Sequence, residues 1–183
     1  KDQQEQARRL LEQAKAELEE ILRQLREEEI ERTLALLEAR FRKMLKMQEV
    51  VYDDTIGLHG AEKGGDDTTI PARAAKVSFA QKKIVVEADR ALTLLKEEGS
   101  SIAFPEVVGQ MRDDMQQVVD RLAEVKVGPI TQGIEEDIIA TLKEMIEALQ
   151  QAQKDQQQRQ QEGQPSQGQP GDPGLVDMIA ELK

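Results

Sequence analysis

Apolar residues recur at alternating steps of four and three from Ile30 to Leu58: Ile30, Leu34, Leu37, Phe41, Met44, Val51 and Leu58. Gln48 and Thr55 occupy the two remaining steps. This spacing keeps one stripe of an α-helix facing a partner, as the a and d positions of a coiled coil do. Another stripe precedes it in a different register: Leu11, Leu18 and Leu25 lie seven apart, with Ala14 and Ile21 between them and Leu22 beside them. The charged run REEEIER at 26–32 separates the two.

Residues 1–56 contain no proline and no glycine, so both stripes fall on one predicted helix. At ~1.5 Å per residue that helix is roughly 85 Å long, beyond what one compact domain covers. Two registers on one rod imply two different partners. Pairs four apart (Glu5–Arg9, Glu19–Arg23, Glu28–Arg32 and Glu38–Arg42) support its exposed faces, at ~0.2–0.5 kcal/mol each.

Three further stripes follow. Ala74, Val77, Gln81, Ile84, Ala88, Ala91 and Leu95 define a second helix, with Thr68 or Thr69 as its cap and Pro71 in its first turn. Phe104, Val108, Met111, Met115, Val118, Leu122 and Val125 define a third, stopped by Gly128 and Pro129. Ile134, Ile138, Leu142, Met145, Leu149 and Ala152 define a fourth, which then becomes glutamine-rich. Gly57 and Gly60 are expected to end the first helix, with residues 59–69 as a polar loop.

These elements predict an all-α fold: a long N-terminal helix leading into an antiparallel four-helix bundle or coiled coil, with no β-sheet. Residues 1–31 form a projecting coiled-coil arm. Residues 32–161 form the bundle, with helices at about 32–58, 71–98, 105–127 and 131–160. Residues 162–174 are a Gln/Gly/Pro linker. Residues 175–183 start a further, truncated helix, with Asp172 as cap, Pro173 in its first turn, and Leu175, Met178 or Ile179, and Leu182 on one face.

Composition narrows the function. Aromatics are 2% of the chain, so the core is aliphatic and no stacking platform for bases or sugars exists. Residues 1–50 carry 11 Lys+Arg against 12 Asp+Glu; residues 51–183 carry 14 against 24. The acidic remainder repels phosphate, which excludes nucleic acid as an expected partner. Without cysteine there is no thiolate chemistry and no disulfide. No apolar run reaches the ~18 residues that would span a bilayer.

No catalytic constellation emerges. His59 is the only histidine, which removes the paired Glu-x-x-His motifs of a di-iron bundle, and its place near a helix end is structural. Glu62, Asp66 and Asp67 lack the alternating ligand spacing of a calcium loop. Asp53–Asp54, Asp113–Asp114 and Glu135–Glu136 are adjacent helix positions that point apart, so no acid/base dyad forms. Neither a cofactor nor a metal is expected. Gln48, Thr55 and Gln81 are different: polar groups within a seam fix register and partner number. The competing reading puts them near exposed helix ends.

Four stretches, TLALLEARFRKMLKMQEVVYDDT (33–55), EEGSSIAFPEVVGQMRDDMQQVVDRL (97–122), IEEDIIATLKEMIEALQQA (134–152) and LVDMIAELK (175–183), resemble large, uncharacterised, coiled-coil-rich cell-envelope proteins of planctomycete-type bacteria. In that family a similar helical region follows an export signal. The resemblance implies a periplasmic or envelope location; the chain carries no such signal, and the alternative is cytoplasmic. It implies no functional residue. The expected function is a non-enzymatic helical scaffold or protein-interaction module of a larger envelope protein, working through a protein partner or self-association. Its interaction seam is Leu11, Leu18, Ile21, Leu22, Leu25, Leu175, Ile179 and Leu182. The alternative is a four-helix sensor or small-ligand-binding domain, for which Gln48, Thr55, Gln81 and Tyr52 are the candidate lining residues.

Overall fold

The computed structural model describes residues 2–65, 68–98 and 103–162. The linker and the segment 175–183 lie outside them. Four helices follow in order: α1 (Asp2–Lys63), α2 (Ile70–Glu98), α3 (Ala103–Ala123) and α4 (Pro129–Glu162). The fold is all-α, and no strand occurs among the described residues. Helices consecutive in sequence pack on one another, and α4 closes the ring on α1. Short connections make neighbours antiparallel, giving an up-down-up-down bundle.

The four stripes become the core. Leu34, Leu37, Phe41, Met44, Val51 and Leu58 of α1 are buried. So are Ala74, Ile84 and Leu95 of α2, Val108, Met115 and Leu122 of α3, and Ile138, Leu142 and Leu149 of α4. Phe41 and Phe104 meet at one end with ring centroids 6.2 Å apart and planes tilted by 43°. Val85, Val119 and Ile146 widen the stripes beyond strict a and d positions, as a globular bundle requires.

Two helix ends differ from the sequence expectation. α1 runs through Gly57 and Gly60 to Lys63. A glycine inside a helix costs roughly 1 kcal/mol. Buried Leu58 and the packing of Ala61 against the core hold the intervening turn regardless. The helix stops where Gly64 N donates to Ala61 O and Gly65 N to Glu62 O, with Gly65 at φ 89°.

Helix α3 ends at Ala123, before Gly128 and Pro129. Lys126 N donates to Arg121 O at 2.8 Å and Val125 N to Leu122 O at 3.0 Å, the bond pair of a Schellman cap. The left-handed position that normally takes glycine holds Val125 at φ 59°. Val125 packs against the core, and sequence gives no warning of a β-branched residue there. Pro129 then opens α4 itself, two residues before the expected start.

Candidate functional site

The expected surface and the expected polar seam lie in different parts of the molecule. The arm is the first half of α1. Its side chains from Glu12 to Arg26 are all exposed. Leu18 is 56% exposed, Ile21 51%, Leu22 58% and Leu25 56%, side by side on one helix face. The side chain of Leu11, and residues Leu175, Ile179 and Leu182, fall outside what is described. The arm's charges pair along its own length: Lys15 with Glu19 at 3.7 Å, and Arg23 with Glu20 at 2.7 Å and Glu27 at 3.0 Å. Arg23 thus takes Glu20 and Glu27 where Glu19 was expected. Arg42 does pair with Glu38, at 2.8 Å.

The glutamine-rich end of α4 has a definite role that its composition hides. Gln150 and Gln153 donate to the two carboxylate oxygens of Glu38 at 3.0 and 2.9 Å. Gln156 is buried and donates to the backbone oxygen of Glu27 at 3.1 Å. Burial opposes ionisation of Glu38, but hydrogen bonds from Arg42, Gln153 and Gln150 outweigh it and hold the carboxyl below its usual range. Amides therefore fasten α4 to the root of the arm, and the arm begins where they stop. Alternating amide and apolar positions (Leu149, Gln150, Ala152, Gln153, Gln156) are the sequence signal for this.

Within the bundle Gln48, Thr55 and Gln81 are fully buried, not exposed near helix ends. Gln81 Nε2 donates to Gln48 Oε1 at 2.8 Å across the α1–α2 contact. Gln48 Nε2 and Gln81 Oε1 have no hydrogen-bond partner. Two turns along α1, Thr55 Oγ1 lies 2.9 Å from Val51 O and 2.9 Å from Glu135 Oε1. One hydroxyl proton cannot serve both acceptors. Burial pushes the Glu135 carboxyl up to about 8, opposed only by its contact with Thr55. A protonated Glu135 resolves the conflict: it donates to Thr55, and Thr55 donates to Val51 O. Glu135 Oε2 stays without a partner.

Sequence reading missed Glu135, because it looked like one of a pair of adjacent acids that point apart. It also missed Glu87. That buried carboxylate accepts from Arg40 at 2.7 Å, Lys43 at 2.9 Å and Arg90 at 2.9 Å, tying α1 to α2. The hydrogen bond from Lys43 dominates over the opposing burial, and with the charges of Lys43, Arg40 and Arg90 it holds Glu87 below its usual range. Three basic residues converging from two helices identify it, but only once helix pairing is known.

His59 sits in the penultimate turn of α1, with Nδ1 3.6 Å from Glu62 Oε2 and no hydrogen bond. Tyr52 donates to Glu136, which raises the phenol above its ordinary range. Among the described residues no group of three or more His, Cys, Asp or Glu is placed to hold a metal ion. None of their helices is long and apolar enough to cross a membrane. No family model, no curated protein and no solved structure matches this chain.

Proposed function

We propose that this chain is a non-enzymatic helical scaffold or protein-interaction module whose working surface is the arm of α1. The observation that carries the reading is the stripe Leu18, Ile21, Leu22 and Leu25, each more than half exposed on one face. Four large apolar side chains in one row are the anchors of a helix–helix contact. The bundle fixes the root of this row and leaves its face open. An envelope location, within a larger protein, belongs to this proposal through the family resemblance alone.

Light scattering across a wide concentration range tests the reading. The mass of the full chain should rise at high concentration, and the double variant Leu18→Lys/Leu22→Lys should stay monomeric. Identical masses for the two chains at every concentration would sink the self-association branch. A protein partner that binds both chains equally would sink the arm as the surface.

A second reading, a sensor or small-ligand-binding bundle, draws on the buried atoms without partners: Gln48 Nε2, Gln81 Oε1 and Glu135 Oε2. A small polar ligand that paired with them would remove their desolvation cost. A thermal-shift screen with amino acids, polyols and cations tests it. Any stabilising hit should vanish in Gln48→Leu/Gln81→Leu.

A further inference from the structure

We propose that the outer face shared by α1 and α2 is a docking surface for the anionic lipid headgroups of a membrane. The chain's net charge of −11 hides this face. Between residues 32 and 50, α1 carries Arg32, Arg40, Arg42, Lys43 and Lys46 against Glu38 and Glu49. Both acids turn to α4: Glu38 takes the amides of Gln150 and Gln153, and Glu49 pairs with Lys143 at 3.7 Å. Between residues 70 and 86, α2 carries Arg73, Lys76, Lys82 and Lys83 and no acid. Folding sets these two basic runs side by side. Lys43 and Arg90 reach the same Glu87 from α1 and α2, and the hydrogen bond from Gln81 to Gln48 fixes the antiparallel register. In that register Lys46 stands opposite Lys83, and Val50 opposite Phe79. Lys46, Lys76 and Lys82 pair with no carboxylate among the described residues. Asp53 and Asp54 mark the end of the face.

Apolar tips stand among these charges. Phe79 is 62% exposed, Val50 56% and Val86 45%. Lys83 Nζ lies 4.9 Å from the centroid of the Phe79 ring. Lysine ammoniums can stay at headgroup level while a ring and aliphatic tips enter the boundary below them. The acids lie on the other side of the molecule. In the ring of helices the α3–α4 pair is opposite the α1–α2 pair, and its exposed acids include Glu106, Asp113, Asp120, Asp137, Glu144 and Glu147. Asp114 is crowded there: partial burial, then the charges of Asp113 and Asp137, push its carboxyl above its ordinary range. Two helix diameters separate the two faces by roughly 20 Å, whereas charges are screened beyond about 8 Å at physiological salt. A negative surface laid on α1 and α2 therefore meets the basic face and is shielded from the acids. The cations are spread over two helices and not gathered along one groove, which favours an extended lipid surface over a single acidic peptide.

The chain has no tryptophan, so Phe79→Trp places a single indole reporter on this face. In the full chain its emission should shift to the blue on mixed phosphatidylcholine and phosphatidylglycerol vesicles, and the chain should sediment with them. Pure phosphatidylcholine vesicles and soluble glycerol phosphate should do neither, and high salt should release the bound chain. Lys46→Glu/Lys83→Glu should weaken vesicle binding about fiftyfold or more, since each basic residue near an anionic surface multiplies partitioning about fivefold. Both positions are exposed, and the variant should keep the helicity of the parent. Leu18→Ser/Leu22→Ser, on the arm, should bind vesicles as the parent does. The proposal is overturned if the anionic vesicles neither shift the indole nor carry the chain down. Equal binding to pure phosphatidylcholine overturns it too, because charge then plays no part. Binding that is lost in Leu18→Ser/Leu22→Ser and kept in Lys46→Glu/Lys83→Glu moves the membrane contact to the arm and overturns it. So does a blue shift with polyglutamate and none with vesicles, since the occupant is then an acidic protein segment.

Discussion

The two halves of α1 share one backbone, one helical conformation and similar leucine content, yet they end in opposite environments. From Leu34 to Leu58 every third or fourth side chain is buried; from Glu12 to Arg26 none is. Propensity cannot explain the contrast, because both halves are built from good helix formers. The difference is what lies opposite. Helices α2 and α4 bring matching stripes to the second half, whereas α4 meets the first half through the amide of Gln156 on the backbone of Glu27. The bundle half draws its stability from tertiary burial. The arm has only cooperative helix propagation and its own short ion pairs to sustain it.

The sharpest test of this contrast is one substitution in each half. Leu37→Ala removes a fully buried side chain and should cost about 3–4 kcal/mol in urea denaturation. Leu22→Ala, a similar change on the same helix, should stay within ~0.5 kcal/mol of the parent. Equal costs would mean that the arm is part of the cooperative unit.

Glu135 gives an effect of comparable size, and it belongs to the bundle alone. Its folded pKa of about 8 lies above the ~4.3 of an unfolded glutamate. Between those values the folded state binds the extra proton, so stability falls as pH rises from ~4.3 to ~8 and then levels off. The full shift corresponds to a loss on the order of 5 kcal/mol. Urea midpoints from pH 5 to pH 9 should therefore decline, and Glu135→Gln should flatten the profile and raise the midpoint at pH 8. Arm helicity, followed by its own amide signals, should not track this decline. An unchanged profile in Glu135→Gln would remove the protonated carboxyl from the account.

Much of the bundle is legible without coordinates because a packing period repeats on four helices. Leu34 through Leu58, Ala74 through Leu95 and Val108 through Leu122 each need only a step of three or four to be placed inside. What escapes the sequence depends on partners from elsewhere in the chain. Glu87 becomes a junction only when α1 brings Arg40 and Lys43 to it. Gln156 becomes structural only when it meets the backbone of Glu27. Gly57 and Gly60 read as helix stops because glycine is judged locally, whereas Leu58 between them is held by packing. Val125 is harder still: the cap bonds from Lys126 and Val125 impose a left-handed residue that its own side chain disfavours. The arm is legible for the opposite reason, since its stripe has too few matching positions on α4.

Glu87 tests whether the α1–α2 contact depends on its polar tie. Glu87→Gln keeps the shape and removes the charge facing Arg40, Lys43 and Arg90. The carboxylate is buried but its three partners are partly exposed, so water can take them back. The expected loss is about 1–2 kcal/mol, smaller than a buried pair with both ions enclosed. It should shrink in acid, as the native carboxylate is protonated below the usual glutamate range. A loss as large as that of Leu37→Ala would show that the tie, not the apolar stripe, holds α1 to α2.

The smallest expected effect separates the two seam glutamines from the arm. Gln48→Leu alone leaves the buried Gln81 amide facing a hydrocarbon and should cost about 1–2 kcal/mol. Gln48→Leu/Gln81→Leu replaces both partners together, removes the unpaired Gln48 Nε2 and Gln81 Oε1, and should fall within about 1 kcal/mol of the parent on either side. The informative readout is specificity, not stability. A polar pair in a seam selects one register and one partner number, and its all-leucine version loses that selection. The double variant should therefore form new oligomers through its bundle, even when Leu18→Lys/Leu22→Lys has silenced the arm. If that quadruple variant stays a well-ordered monomer, the glutamines do not specify the bundle's partner number.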